Sequence, residues 1–354
     1  MKRILLLLVV ASIGGVISAF LMLHFMPARF FSRFLVTSSQ TPPVPRTDDS
    51  HFEGFPNITE AAESMVWLWQ KGSASTLLSR ADAASSGIVL TGDGLIATVS
   101  VPARTLIAAS FDRHPFVVEP AQDLTGKALR YGSGPLMFLR PAASEAKGLH
   151  LKPVTFFSFE EVRTGQPLFS FGDAGVPEFF RVSEVMHRPT SHEVLSSEVL
   201  SGGIALDHAP KAGALLFAAS GAFVGLAQND GTVMPAEFLN NFLRQYLKNG
   251  TYQKTTFGMH FFELSALVPL NHDLPFEGLL LASKQARRAV MPGSSAARAG
   301  LKEGDVLTLF DGQRLDNTLP FELLLQRYLP GTTVDVVFLR AGKEEKRVVV
   351  LGGQ

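Results

Sequence analysis

The chain has 354 residues, of which 46% are hydrophobic and 18% charged, a balance that excludes an intrinsically disordered protein. Its formal net charge is zero and no Lys/Arg cluster stands out, so nucleic-acid binding has little electrostatic support. The absence of cysteine excludes disulfides, thiol nucleophiles and cysteine-ligated zinc. The length indicates roughly two domains after any targeting segment is removed.

The first predicted element is an apolar run over residues 4–26, preceded by Lys2 and Arg3. It is longer than a typical signal-peptide core and long enough to cross a bilayer as a helix. Ala19 offers a small residue for cleavage, but apolar residues continue beyond it. We therefore predict an uncleaved signal anchor over residues 1–28, with the rest of the chain exported; a cleaved signal peptide is the alternative.

A Pro-rich linker is predicted over residues 29–57, because the stretch 37–56 is polar and rich in proline. In the next domain, residues 58–250, short apolar runs alternate with Gly, Pro, Asp and Ser. This pattern is typical of an all-β sandwich or barrel. The domain ends in a predicted helix over residues 234–248, whose apolar side chains recur at helical spacing and which Gly250 terminates.

Three segments of this domain match motifs of a known protein family. Residues 86–98 match a Ser-Gly-x-x-Ile hairpin, residues 135–140 match an Asp-Leu-Ala-Val-Leu-Lys strand, and residues 208–226 match a nucleophile segment followed by Gly-x-Val-x-Gly. Together they resemble the HtrA/Deg family of trypsin-like serine proteases. The resemblance implies a trypsin-like double β-barrel, and a homotrimer, since relatives assemble as trimers through the protease domain.

Each matching segment lacks the residue that carries the family's chemistry. The general-base position falls on Val101, the orienting-acid position on Pro135 and the nucleophile position on Lys211. A serine mechanism needs a hydroxyl that attacks after a histidine takes its proton, and these positions supply neither group. Pro210, which has no N–H, also stands in the turn that forms the oxyanion hole of the family. We therefore predict a pseudoprotease with no catalytic residue.

Two other groups are candidates for a nucleophile. Ser201 begins a Ser-Gly-Gly run, but it lies too far before the hairpin at residues 221–225 and is interpreted as a loop residue. A desolvated Lys211 could act as nucleophile or base, although a solvated turn lysine is the simpler interpretation. If the alignment is wrong, an active serine endopeptidase is the alternative. It requires a histidine within hydrogen-bonding reach of a serine in the barrel cleft. No spacing typical of metal or cofactor binding is present.

The last domain, residues 251–354, carries the longest motif of the chain, MPGSSAARAGLKEGDVL at residues 291–307. It closely resembles a PDZ domain of the HtrA type, whose signature is Pro-Gly-Ser-x-Ala-x-x-Ala-Gly-Leu-x-x-Gly-Asp-Val. The expected fold is therefore mainly β: an N-terminal transmembrane helix, a trypsin-like double β-barrel, then an α+β PDZ domain.

A PDZ groove binds a peptide C-terminus as an added strand and holds its carboxylate on the backbone N–H groups of the preceding loop. The resemblance places this loop at residues 256–259. The predicted peptide-binding residues are Phe257, Gly258, Met259, Phe261, Phe321, Leu324 and Leu325. The alternative is that the apolar ones are simply core residues, and for residues 321–325 the two interpretations have similar weight. A pocket beside Gly258 closed by the protein's own side chains would favour a structural scaffold without a peptide ligand.

The resemblance to membrane-anchored HtrA proteins implies a location and a role. We expect a single-pass protein of the bacterial inner membrane with its globular part in the periplasm. It is expected to bind the C-termini of peptides or partner proteins in envelope quality control or signalling.

Overall fold

The structure is a computed structural model of the chain. It describes residues 57–70, 77–99, 106–110, 114–121, 124, 130–131, 134–145, 149–172, 175–185, 194–199, 203–268, 274–283, 288–316 and 318–354. The predicted anchor (1–28), the linker up to residue 56, Ser201 and Val101 lie outside these ranges. Within the described ranges, no helix has the length and apolar character needed to span a membrane.

The described elements are four α-helices, three short 3₁₀ helices (Arg80–Asp82, Phe159–Glu161 and Leu264–Ala266) and a larger set of short strands. The α-helices are α1 (Ile58–Glu63), α2 (Ala236–Asn249), α3 (Ser295–Arg298) and α4 (Phe321–Leu325). The strands are β1 (Met65–Gln70), β2 (Ser85–Val89), β3 (Ile96–Val99), β4 (Leu106–Ser110), β5 (Pro115–Pro120), β6 (Arg130–Tyr131), β7 (Gly134–Pro141), β8 (Pro167–Phe171), β9 (Pro177–Val185), β10 (Leu195–Ser196), β11 (Ile204–Leu206), β12 (Leu215–Ala218), β13 (Phe223–Ala227), β14 (Val233–Pro235), β15 (Thr255–Thr256), β16 (His260–Glu263), β17 (Leu279–Leu281), β18 (Val306–Phe310), β19 (Gln313–Arg314), β20 (Thr333–Arg340), β21 (Lys343–Val350) and β22 (Gly352–Gly353).

The first barrel is formed by strands in the order β3-β2-β1-β4-β5-β7, and pairing between β3 and β7 closes it. Successive side chains of a strand face opposite sides, so β1 contributes to two cores. Val66 and Leu68 lie in one apolar cluster, whereas Trp67 and Trp69 lie in a second, larger cluster that also contains residues of the second barrel. The two barrels therefore share a buried apolar contact.

The second barrel closes in the order β11-β14-β13-β12-β8-β9, and three phenylalanines fill its core. The ring of Phe217 lies 5.6 Å from that of Phe169 and 5.8 Å from that of Phe223. Two closed barrels confirm the predicted double β-barrel and the mainly β class.

Helix α2 follows the second barrel and packs on the first, with the Phe242 ring stacked 4.4 Å from that of Phe138. It begins two residues later than predicted, because Met234 and Pro235 belong to β14 and pair with β13. It ends where predicted, at Gly250, whose φ of +66° is the left-handed conformation that favours glycine.

The C-terminal domain has one main sheet in the order β10-β16-β17-β18-β20-β21, with β19 paired to β18. Helix α4 covers its core, where the ring of Phe321 meets those of Phe257 and Phe310 edge to face at 5.6 and 5.1 Å. The first strand of this sheet, β10, comes from the segment between two strands of the second barrel, β9 and β11. The barrel part and the C-terminal domain are therefore joined through a shared sheet.

Candidate functional site: a peptide groove and a barrel cleft

The predicted carboxylate loop, residues 256–259, leads into strand β16. Gly258 has a φ of +85°, and a Cβ atom at this position would lie 2.1 Å from Cβ of Ser294. Glycine is therefore required both by the backbone conformation and by the close approach. In this conformation, the N–H groups of three consecutive residues reach the same small group of oxygen atoms.

Those oxygens belong to Ser197 and Glu198. Glu198 Oε1 accepts hydrogen bonds from the N–H groups of Phe257 at 3.0 Å and Gly258 at 2.6 Å. Ser197 Oγ accepts from the N–H groups of Gly258 at 3.2 Å and Met259 at 3.0 Å. Consecutive backbone N–H groups that converge on oxygen form an anion-binding concavity, which is the device that captures a peptide C-terminus.

The strand beside this loop is paired as well. Strand β10 runs antiparallel to β16, with Leu195 opposite Phe261. The N–H of Ser197 continues the ladder to the carbonyl of Met259 at 3.0 Å. The edge to which a peptide would add as a strand is therefore occupied, over this length, by the chain itself.

The predicted apolar site residues lie together beneath the groove. The Phe261 ring lies 6.0 Å from that of Phe321, which in turn contacts Phe257. These residues are all buried: Phe257, Met259, Phe261, Phe321, Leu324 and Leu325. They pack as core residues in this structure, and their contact with a peptide stays a prediction.

Three polar residues of the site were not found from the sequence, namely Ser197, Glu198 and Lys254. The Lys254 ammonium group donates to the carbonyl of Glu198. Burial lowers the pKa of Lys254, while the negative charges of Glu198 and Glu322 act in the opposite direction. Ser-Ser-Glu lies about sixty residues before the loop and in no motif, so only tertiary structure brings these groups together.

The predicted nucleophile position, Lys211, lies in a cleft of the barrel part. Lys211 is exposed on a turn in which its carbonyl accepts the N–H of Ala214 at 2.9 Å. It lines a cavity of about 80 Å³ together with residues that include Ser85, Ser86 and Ser170. No histidine is among the described residues that line this cavity.

None of the three serine hydroxyls that line this cavity has a hydrogen bond to a described histidine. Ser86 Oγ donates to the carbonyl of Gly213 at 3.1 Å, and Ser85 Oγ lies 3.1 Å from the hydroxyl of Thr98. Ser170 Oγ is buried and has no hydrogen-bond partner within the described ranges. None of these contacts supplies a base that could take a proton from a serine.

Two of the four described histidines, His208 and His260, bond outside this cavity. His208 stacks on Phe180 at 4.6 Å, and its Nδ1 lies 2.9 Å from Asp207 Oδ1. The pKa of Asp207 is lowered mainly by the backbone N–H of Arg181, and His208 adds to the effect. His260 Nδ1 pairs with a backbone carbonyl at 2.8 Å. The arrangement required by the endopeptidase alternative does not occur at these two histidines.

The structure says less about the other two predicted triad positions, Pro135 and Val101. Pro135 lies on β7, where it is opposite Arg130 of β6. Val101 lies outside the described residues, so its place relative to Lys211 is not described. The degenerate triad therefore stays a prediction from the sequence.

Comparison with known proteins supports this architecture. Residues 287–349 match a family model described as a PDZ domain. Over 132 residues, the chain is 28% identical to a probable periplasmic serine endoprotease, DegP-like, of Rhizobium meliloti (strain 1021), covering 37% of this chain and 24% of the relative. Over 128 residues, it is 27% identical to the periplasmic pH-dependent serine endoprotease DegQ of Escherichia coli (strain K12), covering 36% and 26%.

Solved structures share this fold over most of the chain. The HtrA-type protease AlgW with a tripeptide superimposes with a TM-score of 0.54 at 18% identity, covering 84% of this chain and 98% of that one. The resemblance to the HtrA/Deg family is confirmed. The same protease with a decapeptide gives a TM-score of 0.51. This HtrA-like chain spans about a quarter of the length of the curated relatives that it matches.

Proposed function

We propose that this HtrA-like protein binds the C-termini of peptides or partner proteins through its PDZ domain and does not cleave them. The observation that carries the proposal is the loop at residues 256–259. Its three consecutive N–H groups already hold a carboxylate oxygen and a hydroxyl oxygen. A loop that binds a side-chain carboxylate offers the same donors to a terminal carboxylate. The AlgW structures, which share this fold, were solved with a tripeptide and a decapeptide, and this supports peptide binding by the present chain.

The absence of proteolysis is proposed from the nucleophile turn. Lys211 stands where the family has its serine, and the described lining of the cleft contains no histidine. A serine hydroxyl without a general base is a weak nucleophile at neutral pH. We therefore propose that the protease-like domain of this chain has a structural role and not a catalytic one.

We place the protein at the bacterial inner membrane as a proposal only. The apolar run 4–26 supports an anchor, and the relatives named as periplasmic support a periplasmic globular part. A role in envelope quality control or signalling, and a homotrimer, follow from the family resemblance. Recovery of the native chain in the membrane fraction after alkaline extraction would support the anchor, and recovery in the soluble fraction would contradict it.

A structural scaffold without a ligand is the second candidate. It is favoured by one observation: the N–H donors of the loop are engaged by Ser197 and Glu198 of the same chain. The two candidates differ in whether an external carboxylate can take these donors.

The test measures binding of a fluorescein-labelled, alanine-rich hexapeptide whose last residue is a valine with a free carboxylate. We expect the full chain to bind it with a dissociation constant on the order of micromolar or weaker. The amidated peptide should bind roughly tenfold more weakly or not at all, because it cannot form charge-assisted hydrogen bonds with the loop.

Equal binding of the free and amidated peptides would show that the loop does not hold the terminus. Substitution of Gly258 is a poor test, because any side chain there meets Ser294 and disturbs the loop itself. The amidated peptide changes only the ligand and leaves the protein as it is.

A further inference from the structure

Segment 195–198 has the direction of a bound peptide. Strand β10 runs antiparallel to β16, and its C-terminal end lies at the carboxylate loop. A ligand C-terminus added to this edge would run the same way, because its carboxylate must reach the N–H groups of the loop. The segment therefore has the polarity of a ligand, although both of its ends continue into the chain.

Two oxygens of this segment replace the two oxygens of a terminal carboxylate. Glu198 Oε1 takes the N–H groups of Phe257 and Gly258, and Ser197 Oγ takes those of Gly258 and Met259. The Ser197 hydroxyl donates to Glu198 Oε1 at 2.8 Å, which holds the two oxygens side by side. Glu198 Oε2 is buried and has no hydrogen-bond partner within the described ranges, so the second oxygen is supplied by the serine.

The surroundings suit a negative group. Ser197 is fully buried, and the Lys254 ammonium group donates to the carbonyl of Glu198 at the mouth of the loop. The other charged residue near Lys254 is Glu322, a buried residue of α4. The carboxylate of Glu198 is thus held by directed N–H groups together with a nearby cation, as a free C-terminus would be.

We propose that segment 195–198 is a built-in ligand of the PDZ groove, in which the Glu198 carboxylate and the Ser197 hydroxyl stand in for a terminal carboxylate. The inference rests on the proposed function, since a built-in ligand matters only if the groove also takes an external peptide. An incoming C-terminus then binds only to the fraction of molecules whose segment has left the groove. Its apparent affinity is reduced by that fraction.

The test compares three full-length variants: Glu198→Gln, which removes the charge at nearly constant shape, Glu198→Ala, which removes the acceptor, and Glu161→Gln as the matched control. Glu161 is an exposed glutamate outside the groove. The probe is the valine-ending peptide with a free carboxylate, and its amidated form is the reference. Both Glu198 variants should bind the free peptide about tenfold or more tightly than the wild type and the control, because a charge-assisted hydrogen bond no longer holds the internal segment.

A second measurement does not depend on any peptide. Hydrogen–deuterium exchange of the fragment containing residues 256–259 should become about tenfold faster in Glu198→Ala, because the loop N–H groups lose an acceptor. It should also become faster in Glu198→Gln, because the uncharged amide oxygen accepts a weaker hydrogen bond than the carboxylate does. The fragment containing β20 reports whether the domain is still folded and should exchange at the wild-type rate. This reference separates release of the segment from loss of the fold.

The outcomes are distinct. Faster exchange at residues 256–259 together with tighter peptide binding supports the built-in ligand. Unchanged exchange in both variants overturns it, and so does measurable, carboxylate-dependent peptide binding that is equally tight in the variants and the wild type. A third outcome is faster exchange with no carboxylate-dependent binding of the peptide to any variant. In that case segment 195–198 still occupies the groove, and the proposed function is overturned instead.

Discussion

Glu263, the last residue of strand β16, has a buried carboxyl group close to the groove. Burial raises the pKa of Glu263 to about 7, the charge of Asp316 contributes in the same direction, and the Ser265 hydroxyl partly offsets the shift. The Ser265 Oγ donor lies 3.5 Å from Glu263 Oε1, which is long for a hydrogen bond. The acid is therefore protonated in the folded state at pH values where it is ionised in the unfolded chain.

This shift predicts a pH dependence of stability. Between about pH 4.5 and pH 7, the folded state keeps a proton that the unfolded state has released, so the free energy of unfolding decreases as the pH rises. The contribution is complete below pH 4.5 and is lost above pH 7; it amounts to about 3 kcal/mol. Glu263→Gln resembles the protonated acid and should remove this decrease.

Urea unfolding of the two proteins at several pH values measures the effect. The variant should gain stability relative to the wild type as the pH rises from 4.5 to 7.5, by about 3 kcal/mol. Parallel curves for the two proteins would show that the Glu263 carboxyl has an ordinary pKa in the folded state.

At the scale of elements, an ion pair joins the turn before β18 to the end of β20. Arg340 Nε and Nη2 bind the two carboxylate oxygens of Asp305 at 2.8 and 2.7 Å, and Asp305 is only 1% exposed. A second acceptor for Arg340 is the carbonyl of Gly300 at 2.8 Å. The carboxylate also accepts the backbone N–H of Lys302 at 2.7 Å, and Arg340 is its cationic partner among the described residues.

We expect Arg340→Met to destabilise the protein by about 3–5 kcal/mol, because it leaves the buried Asp305 carboxylate without its cation. The matched control is Arg347→Met on the neighbouring strand β21. Arg347 pairs with Glu345 at 2.6 Å on the exposed surface, where such pairs contribute about 0–1 kcal/mol. Chemical unfolding measures both, and similar small losses in the two variants would contradict the assigned role of Arg340.

Elements with local signals were predictable from the sequence. The motif at residues 291–307 is recognisable because its parts act locally: Ser294 Oγ, for example, accepts the N–H of Ala297 and caps α3. Helix α2 was found from its spacing, and its start was misplaced because pairing with β13 overrides helical periodicity at Met234. Strand β10 has two residues and no alternating pattern, so its pairing with β16 has no sequence signal.

Only part of the candidate site could be predicted from the sequence. The loop at residues 256–259 was placed by the family resemblance, and the structure gives Gly258 a left-handed backbone and a close approach to Ser294. The acceptors Ser197 and Glu198 are ordinary polar residues of a loop, and their role depends on a fold that brings distant segments together. The triad prediction rests on the alignment, with Lys211 the only one of its three side chains that the structure describes.

At the scale of the whole molecule, the double barrel retains a protease frame around a cleft with no described histidine. We expect the purified full chain neither to cleave casein nor to react with a fluorophosphonate probe, since the activated serine that such probes label is missing at residue 211. Trypsin treated in parallel is the positive control. Stoichiometric labelling of any serine would establish an active endopeptidase and overturn the pseudoprotease proposal.

The main C-terminal sheet has two edges, and each is protected differently. At one edge, β21 carries the charged run Lys343 to Arg347, which discourages pairing with another chain. At the other edge, β16 has little charge and is covered by β10. A C-terminal fragment that begins between residues 199 and 255 lacks β10. The exposed edge of β16 could then pair with a second copy of the fragment. Concentration-dependent self-association of the excised domain would therefore be a product of the cut, and quantitative work on the groove is better done with the uncut chain.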